Sequence, residues 1–258
     1  MDLELAGRVV LVTGGSDGLG RALCHRLVGE GASVGLCGRR AEPVDDTVDR
    51  LRRAGGDVLG LAADVTRPED LARFVDAAVS RWGRIDAVCN NAGASAAKPF
   101  DQLDDADVEE DLALKLLGAI RLTRLALPHL RASKGAVVNT LAIAAKAPGP
   151  ASVPTSVSRA AGLALTKALS HDLAPDGIRV NAVLVGFVES GQWERRAAAQ
   201  GRSVPDFYKE LARSMGIPLG RIGRAEEFAD LVAYLISSRA SYVTGTAVNL
   251  DGGICPVV

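Results

Sequence analysis

Residues 9–20 read Val9-Val10-Leu11-Val12-Thr13-Gly14-Gly15-Ser16-Asp17-Gly18-Leu19-Gly20, an apolar run that stops at a glycine-rich turn. The run suits a strand covered on both faces, and from Arg21 onward the pattern becomes helical. A turn this tight needs residues that tolerate positive φ, and a pyrophosphate can approach a backbone only where Cβ is missing. The helix start then offers free N–H groups and a partial positive charge to the phosphates. A glycine cluster can also be an ordinary turn. Its place between a strand and a helix, with a second strand to follow, points to nucleotide binding.

Working outward, further short apolar runs alternate with longer amphipathic stretches. Strand candidates are Val9–Val12, Ser33–Cys37, Val58–Leu61, Ala87–Cys89, Ala136–Asn139, Arg179–Val185 and Thr246–Leu250. Leu71, Phe74, Val75, Ala78, Val79 and Trp82 fall on one helical stripe, with Thr66 and Glu69 as a capping box and Pro68 in the first turn. Leu112, Leu116, Leu117, Ile120 and Leu125 predict one long helix ending near Pro128. This alternation predicts an α/β fold: a single-domain Rossmann architecture spanning 1–258, a doubly wound parallel sheet of about seven strands with helices on both faces.

Composition sets outer limits. The chain has 258 residues, enough for one large α/β core, and 30 Lys plus Arg against 31 Asp plus Glu leave a net charge of -1. That balance gives no electrostatic reason to expect nucleic acid or an anionic membrane as partner. The opening Met1-Asp2-Leu3-Glu4 is acidic where a signal peptide is basic, and no apolar run is long enough to span a bilayer, so a cytoplasmic protein is expected. Cys24, Cys37, Cys89 and Cys255 are widely spaced and read as buried apolar side chains in a reducing compartment. His25, His129 and His171 show no ligand spacing, so no metal site is expected.

With these runs in view, the order of motifs resembles the short-chain dehydrogenase/reductase family. Thr13-Gly14-x-x-x-Gly18-x-Gly20 is similar to its glycine motif, and the rest follow in register: Asp64-Val65, Asn90-Asn91-Ala92-Gly93, Arg179-Val180-Asn181-Ala182, Tyr242-Val243-Thr244-Gly245 and Asp251-Gly252-Gly253. The resemblance implies that Gly14, Ser16, Asp17, Gly18, Leu19 and Gly20 cradle the pyrophosphate and that Asp64 and Val65 hold the adenine. It likewise implies that Asn91, Ala92 and Gly93 lie along the cofactor and that Gly186–Val188 flank the nicotinamide. The family's proline before that glycine is Val185 here.

Charge argues the choice of cofactor. NAD sites place a carboxylate at the end of the second strand for the ribose 2′-hydroxyl, whereas NADP sites put arginine near the 2′-phosphate. This chain has Cys37-Gly38-Arg39-Arg40, glycine followed by guanidinium, which binds phosphate bidentately. NADP(H) is therefore favoured over NAD(H), with Arg39 as the anion contact. Two facts keep the alternative open: Arg39 and Arg40 also suit a solvated loop, and Asp17 stands where many NADP-binding relatives carry a basic residue.

The family's chemistry uses Asn, Ser and Tyr-x-x-x-Lys: tyrosine as general acid/base, lysine lowering its pKa, serine orienting the substrate oxygen and asparagine supporting a proton relay. Flanking residues set the register. Arg121-Leu122-Thr123-Arg124 puts Lys115 at the asparagine position; Val137-Val138-Asn139 puts Ala142 at the serine; Ser158-Arg159-Ala160-Ala161 puts Thr155 at the tyrosine and Arg159 at the lysine. Beyond Tyr208, Tyr234 and Tyr242, the chain's tyrosines, the fourth residues are Ala212, Ser238 and Thr246, so no Tyr-x-x-x-Lys exists. Thr155 titrates too high to act as an acid near neutrality, Ala142 neither donates nor accepts, and Arg159 can bind ribose but not release a proton. Lys115 is the titratable substitute if it faces the pocket, because burial and a nearby cation lower a lysine pKa; a solvated lysine on an amphipathic helix is the plain alternative. Lys146 is a second possible donor, and Thr140, Ser152 and Ser156 could orient a substrate.

Segment 187–223 falls where the family carries its variable substrate lid. Trp193, Phe207, Tyr208 and Met215 could wall it, and Arg195, Arg196 and Arg202 could attract an acidic substrate or simply face solvent. Two functions follow. One is a divergent NADP-dependent oxidoreductase acting on a carbonyl/alcohol pair with a non-standard proton donor. The other is a nucleotide-binding pseudoenzyme serving as a regulatory or structural subunit. A non-redox enzyme is a third, although relatives of that kind tend to keep tyrosine and lose the glycine motif. A small-molecule substrate and a homotetramer are expected, the latter by resemblance and from the apolar surface of the helices around Leu112–Leu125 and Ala160–Leu173.

Overall fold

The computed structural model describes all residues from 1 to 258. Its centre is a sheet of seven parallel strands: β1 (Val9–Thr13), β2 (Ser33–Gly38), β3 (Val58–Ala62), β4 (Ala87–Asn90), β5 (Ala136–Ala142), β6 (Arg179–Val185) and β7 (Ala247–Leu250), in the order β3-β2-β1-β4-β5-β6-β7. The connecting helices are α1 (Gly18–Gly29), α2 (Ala41–Arg53), α3 (Pro68–Trp82), α4 (Asp105–Leu112), α5 (Gly118–Ser133), α6 (Thr155–Asp172), α7 (Gly191–Ala199), α8 (Val204–Ser214) and α9 (Ala225–Ile236). This is the single-domain, doubly wound Rossmann-type fold expected from the strand–helix alternation. Strand order reverses at β1, so the connections leaving β1 and β4 diverge and open a crevice at the carboxyl edge.

Period-two alternation along the strands builds two cores. Val10, Val12, Val34, Leu36, Val138 and Val183 face α1, α2 and α9, where Leu23, Leu27, Val44, Leu51, Phe228 and Val232 meet them. Leu11, Cys37, Val88, Val137 and Val180 face the other way, onto Leu71, Phe74 and Ala78 of α3 and Leu122, Ala126 and Leu130 of α5. Covered on both sides, the central strands are mainly apolar on both faces, with Asn90, Asn139 and Asn181 as buried polar exceptions. Cys24, Cys37 and Cys89 are free thiols buried in these layers, but Cys255 is only partly buried, because it follows β7 on the outer rim.

Three local expectations are corrected. α3 does not begin with a Thr66–Glu69 capping box. Its N-cap is Arg67, and the Thr66 hydroxyl instead donates to Asp64 Oδ1 at 2.8 Å, closing a turn within the loop after β3. The stretch around Lys115 is not one regular helix, since a π-helical turn at Ala113–Leu117 separates α4 from α5. α5 also runs past Pro128 to Ser133, because a proline deletes one N–H while Leu130 two residues on still gains full burial. Within this stretch Leu117 and Leu125 stay substantially exposed, and Ala119, Leu122, Ala126 and Leu130 carry the buried stripe instead.

A polar ladder crosses the core beside the crevice. Asn90 Nδ2 donates to Asn139 Oδ1 at 2.8 Å and to Thr123 Oγ1 at 3.2 Å, and Asn139 Nδ2 donates to Thr166 Oγ1 at 2.9 Å. The ladder ties β4 and β5 to α5 and α6. Removing its middle rung leaves buried partners without water to replace it, at roughly 1–3 kcal/mol for each unsatisfied group. Asn139→Ala is expected to lower the unfolding free energy by about 2–4 kcal/mol in urea denaturation.

Candidate active site

A cleft of about 500 Å³ opens at the carboxyl edge of the sheet, lined from the ends of β1, β2, β3, β4, β5 and β6 and from the start of α6 and α7. Gly14, Ser16, Asp17, Gly18 and Leu19 line it from the first turn; Arg39 and Arg40 from the end of β2; Asp64 and Val65 from the end of β3. Asn91, Ala92 and Gly93 follow β4, and Thr140, Ala142, Thr155, Arg159 and Gly186 complete the inner wall. Two residues expected at the cofactor stand back from it. Gly20 lies behind the turn, where a Cβ would overlap the Gly14 carbonyl oxygen, so its part is close packing rather than contact. Val188 has a buried side chain and bridges to Gly223, holding the chain after β6.

The glycine turn has the properties a bound pyrophosphate needs. Gly14 sits at φ +65°, Asp17 caps α1 by accepting from the Gly18 N–H at 2.8 Å, and the helix N-terminus faces the cleft. Asp17 is also paired with Arg195 at 3.1 Å, which offsets its charge. Arg39 and Arg40 are exposed on the cleft rim, and neither enters any of the chain's ion pairs, whereas Arg26, Arg81 and Arg221 each do.

The inner wall holds a buried charge cluster. Lys115 projects inward from the π turn with its side chain fully shielded, which overturns the solvated alternative. Its Nζ donates to Asp111 Oδ1 at 2.5 Å and to Thr155 Oγ1 at 3.0 Å. Asp111 Oδ2 accepts from the Ser158 hydroxyl at 2.6 Å, so both carboxylate oxygens are engaged. Arg159, one turn into α6, donates from Nη1 to the Thr140 carbonyl at 2.7 Å, while its buried Nε finds no partner in the chain. Gly93 admits the guanidinium: a Cβ there would lie 2.5 Å from Nη2. Burial and, next, the Arg159 charge bring Lys115 down to about 8, with Asp111 pulling against them; burial lowers Arg159 to about 10, which leaves it cationic at neutral pH.

Sequence reasoning placed Lys115, Thr155 and Arg159 in one constellation, and the three side chains do converge. It missed Asp111 and Ser158. The signal for Asp111 was its i,i+4 spacing from Lys115, hidden in an acidic run that reads as a solvated face. Several other candidates lie elsewhere. Lys146 turns away and donates to the Ala247 carbonyl and to Asn249 Oδ1, because β7 offers acceptors beside it. Ser152 and Ser156 bond to each other outside the cleft. Phe187 and Trp193, 5.7 Å apart, line the cleft, but Phe207 packs behind Trp193 and Met215 is exposed. Arg196 and Arg202 stack on Trp193 and Phe207 rather than entering the cleft. No group of three or more His, Cys, Asp or Glu side chains is arranged to hold a metal ion.

Fold and cleft together define a Rossmann-type α/β protein with its ligand site at the topological switch point. Comparison with known proteins sharpens this. The family model described as enoyl-(acyl carrier protein) reductase matches residues 14–255. The chain is 36% identical to an L-fucose dehydrogenase of Bos taurus, covering 98% of this chain and 91% of that one, and 31% identical to the 3-oxoacyl-(acyl-carrier-protein) reductase FabG of Thermotoga maritima, covering 98% and 99%. Among solved structures, an NADPH-bound short chain oxidoreductase of Pseudomonas aeruginosa, described as containing an atypical catalytic center, superposes with a TM-score of 0.92 at 33% identity, covering 97% of this chain and 98% of that one. The chain belongs to the short-chain dehydrogenase/reductase family of oxidoreductases.

Breaking the buried pair from the acidic side leaves Lys115 without its counter-ion. Asp111→Ala is expected to cost about 3 kcal/mol of stability at about pH 6, where the lysine is charged. The deficit should narrow as the pH is raised through the titration of Lys115, because the neutral amine carries no unpaired charge. Chemical denaturation of both proteins across that range measures it.

Proposed function

We propose that this chain is an NADP(H)-dependent oxidoreductase that interconverts a carbonyl and an alcohol with a proton source unlike the family's tyrosine. The observation that carries the reading is the shielded Lys115, held by Asp111 and bonded to Thr155 at the cleft wall. A protein that used the nucleotide only as a structural ligand would have no need to bury an ammonium there. In this reading Lys115, Ala142, Thr155 and Arg159 occupy the family's asparagine, serine, tyrosine and lysine positions.

The residues present fit a dinucleotide. The Gly14–Leu19 turn leaves room for phosphates, and the orphaned Nε of Arg159 is a buried donor waiting for an acceptor, which a ribose hydroxyl would supply. Gly18, Ser16 and the α1 N-terminus would hold the pyrophosphate, Asp64 and Val65 the adenine, and Asn91, Ala92, Gly93 and Gly186 the nicotinamide side. Bound there, the nicotinamide supplies a hydride to the carbonyl carbon or takes one from the alcohol. The chain must orient the substrate and hold a proton within reach of its oxygen. Arg39 and Arg40 favour NADP(H), since both guanidinium groups stand on the rim without a carboxylate partner. Asp17, which argues the other way by position, is occupied by the Gly18 N–H and Arg195. The NADPH-bound structure of the Pseudomonas relative supports that choice.

Segment 187–223, with α7 and α8, forms the substrate lid: Phe187 and Trp193 give its inner face an apolar wall. The exposed Leu117, Leu125 and Val157 on the surfaces of the Lys115 turn, α5 and α6 favour burial between subunits of a homotetramer. A nucleotide-binding subunit without turnover is the second reading, favoured by the Ala142 methyl lining the cleft where the family has a hydroxyl. Screening β-keto esters, ketoses and diketones for NADPH consumption separates the two: turnover of any member supports the enzyme, and cofactor binding without turnover supports the subunit.

The cofactor choice has its own test. Charge-assisted hydrogen bonds contribute roughly 1.5–3 kcal/mol, about tenfold or more in affinity. Isothermal titration is expected to show tighter binding of NADPH than NADH, and Arg39→Ala with Arg40→Ala should weaken NADPH by at least about 10-fold while changing NADH little. Equal affinities in the unsubstituted protein would return both arginines to the solvated rim.

A further inference from the structure

The Thr155 hydroxyl has one free valence. Oγ1 accepts from Lys115 Nζ at 3.0 Å and from the Ala96 backbone N–H at 3.0 Å, which uses both of its lone pairs. No acceptor within the chain receives its O–H, and the residue lines the cleft. Lys115 itself does not line the cleft; its stem runs behind Gly93, and its ammonium is covered by Thr155, Asp111 and the start of α6. Any proton that moves between Lys115 and a substrate must therefore pass through the threonine oxygen.

Resting on the oxidoreductase reading above, we propose that Thr155 is the catalytic residue that touches the substrate oxygen, and that it works as a relay whose proton is replaced by Lys115, with Asp111 and Ser158 as positioning residues. In the reducing direction the carbonyl carbon would gain the hydride, with its two electrons, that a bound NADPH supplies. The carbonyl oxygen takes the Thr155 proton, forming the product O–H bond as the threonine O–H bond breaks. An N–H bond of the Lys115 ammonium breaks in turn, and that proton restores the threonine hydroxyl. The threonine never has to exist as a free alkoxide, so its own high pKa is no obstacle. Lys115 is left as a neutral amine and regains a proton through Thr155 from water once the product leaves. Oxidation of an alcohol runs the same transfers in reverse.

The charged groups facing Lys115 are Asp111 from α4 and Arg159 from α6; the uncharged hydroxyls of Thr155 and Ser158 complete its surroundings. Reduction needs the ammonium, so turnover is present below the Lys115 pKa and is lost as pH rises through it, near 8. The carboxylate of Asp111 holds that value up, so removing its charge moves the loss of turnover to lower pH.

The test compares the wild type with Thr155→Ser, Thr155→Val, Lys115→Met and Asp111→Asn. One readout is NADPH-dependent reduction of the best substrate from the carbonyl panel, across pH. The other is NMR titration of side-chain-labelled lysine in the cofactor-free protein. A positioned acid is worth about 10²–10⁴-fold, so Thr155→Val and Lys115→Met should each lose at least 100-fold in kcat. Thr155→Ser, which keeps the hydroxyl, should recover most of what Thr155→Val loses. The alkaline limb near 8 should move to lower pH in Asp111→Asn, and the Lys115 resonance should move with it. Turnover by Thr155→Val close to the wild type, or a Lys115 titration indifferent to Asp111→Asn, would overturn the relay while leaving the oxidoreductase reading intact. A wild type that binds NADPH but reduces no member of the panel would overturn both.

Discussion

Parallel pairing is the constraint from which the rest of this molecule follows. Adjacent parallel strands cannot be joined by a tight turn, so every connection must cross back over the sheet, and every strand delivers its carboxyl end to the same edge. Six of the seven strand ends supply residues to one cleft for that reason, although they are drawn from positions 14 to 195 of the chain. The reversal of strand order at β1 then opens the edge where the glycine turn and the segment after β4 diverge. Gly14 and Asn91 are held together there by the Asn91 side chain, which donates to the Thr13 and Gly14 carbonyls. The binding surface is thus a product of topology first and of particular side chains second.

Burial of charge beside that edge imposes a second set of requirements. Two cations, Lys115 and Arg159, are set against one carboxylate, and each is shielded from water. Isolated ions would be strongly disfavoured in such a place. Here Asp111 has both oxygens occupied, Lys115 has two acceptors, and Arg159 has a backbone carbonyl; Arg159 Nε is the buried atom of this cluster that has no partner at all. That local excess of positive charge and donors favours an oxygen on which negative charge develops. The π turn is what makes the arrangement possible. It shifts the helical register between α4 and α5 so that Asp111 and Lys115 face α6, while Leu122, Ala126 and Leu130 still face the sheet.

Much of this was legible in the sequence, and the reason differs by element. The strands were readable because burial on both faces leaves short, mainly apolar runs, unbroken in β1 and interrupted only by Asn139 and Thr140 in β5 and by Asn181 in β6, and the glycine turn because few other residues tolerate its geometry. The convergence of Lys115, Thr155 and Arg159 was readable through register alone. The π turn was not, since it has no composition of its own, and a periodic pattern averages across it. Asp111 was concealed by its neighbours: within Asp104-Asp105-Ala106-Asp107-Val108-Glu109-Glu110-Asp111 nothing marks one carboxylate as buried. The capping of α3 failed for a related reason. A Thr-x-x-Glu pattern is satisfied by sequence alone, but Asp64 competes for the same threonine, and only the folded loop decides between them.

In the proposed relay, a lysine acting behind a threonine would divide between two side chains what a tyrosine does with one. A tyrosine must have its pKa lowered by a neighbouring cation before it can exchange a proton near neutrality. Threonine cannot be lowered far enough, but a hydroxyl that accepts from an ammonium and donates to a substrate can pass a proton without holding the charge itself. The acid is then the ammonium, and its strength is set by neighbours the substrate never touches: shielding from water and Arg159 push it down, Asp111 holds it up. Proton exchange is most efficient when the donor's pKa lies near the operating pH, and a lysine drawn down to about 8 meets that condition where an exposed one does not. Arg159 fits the same scheme better than a lysine would at its position. A guanidinium stays charged even when burial weakens it, so its field on Lys115 is constant, whereas two lysines side by side would share one titration and blur which of them carried the proton.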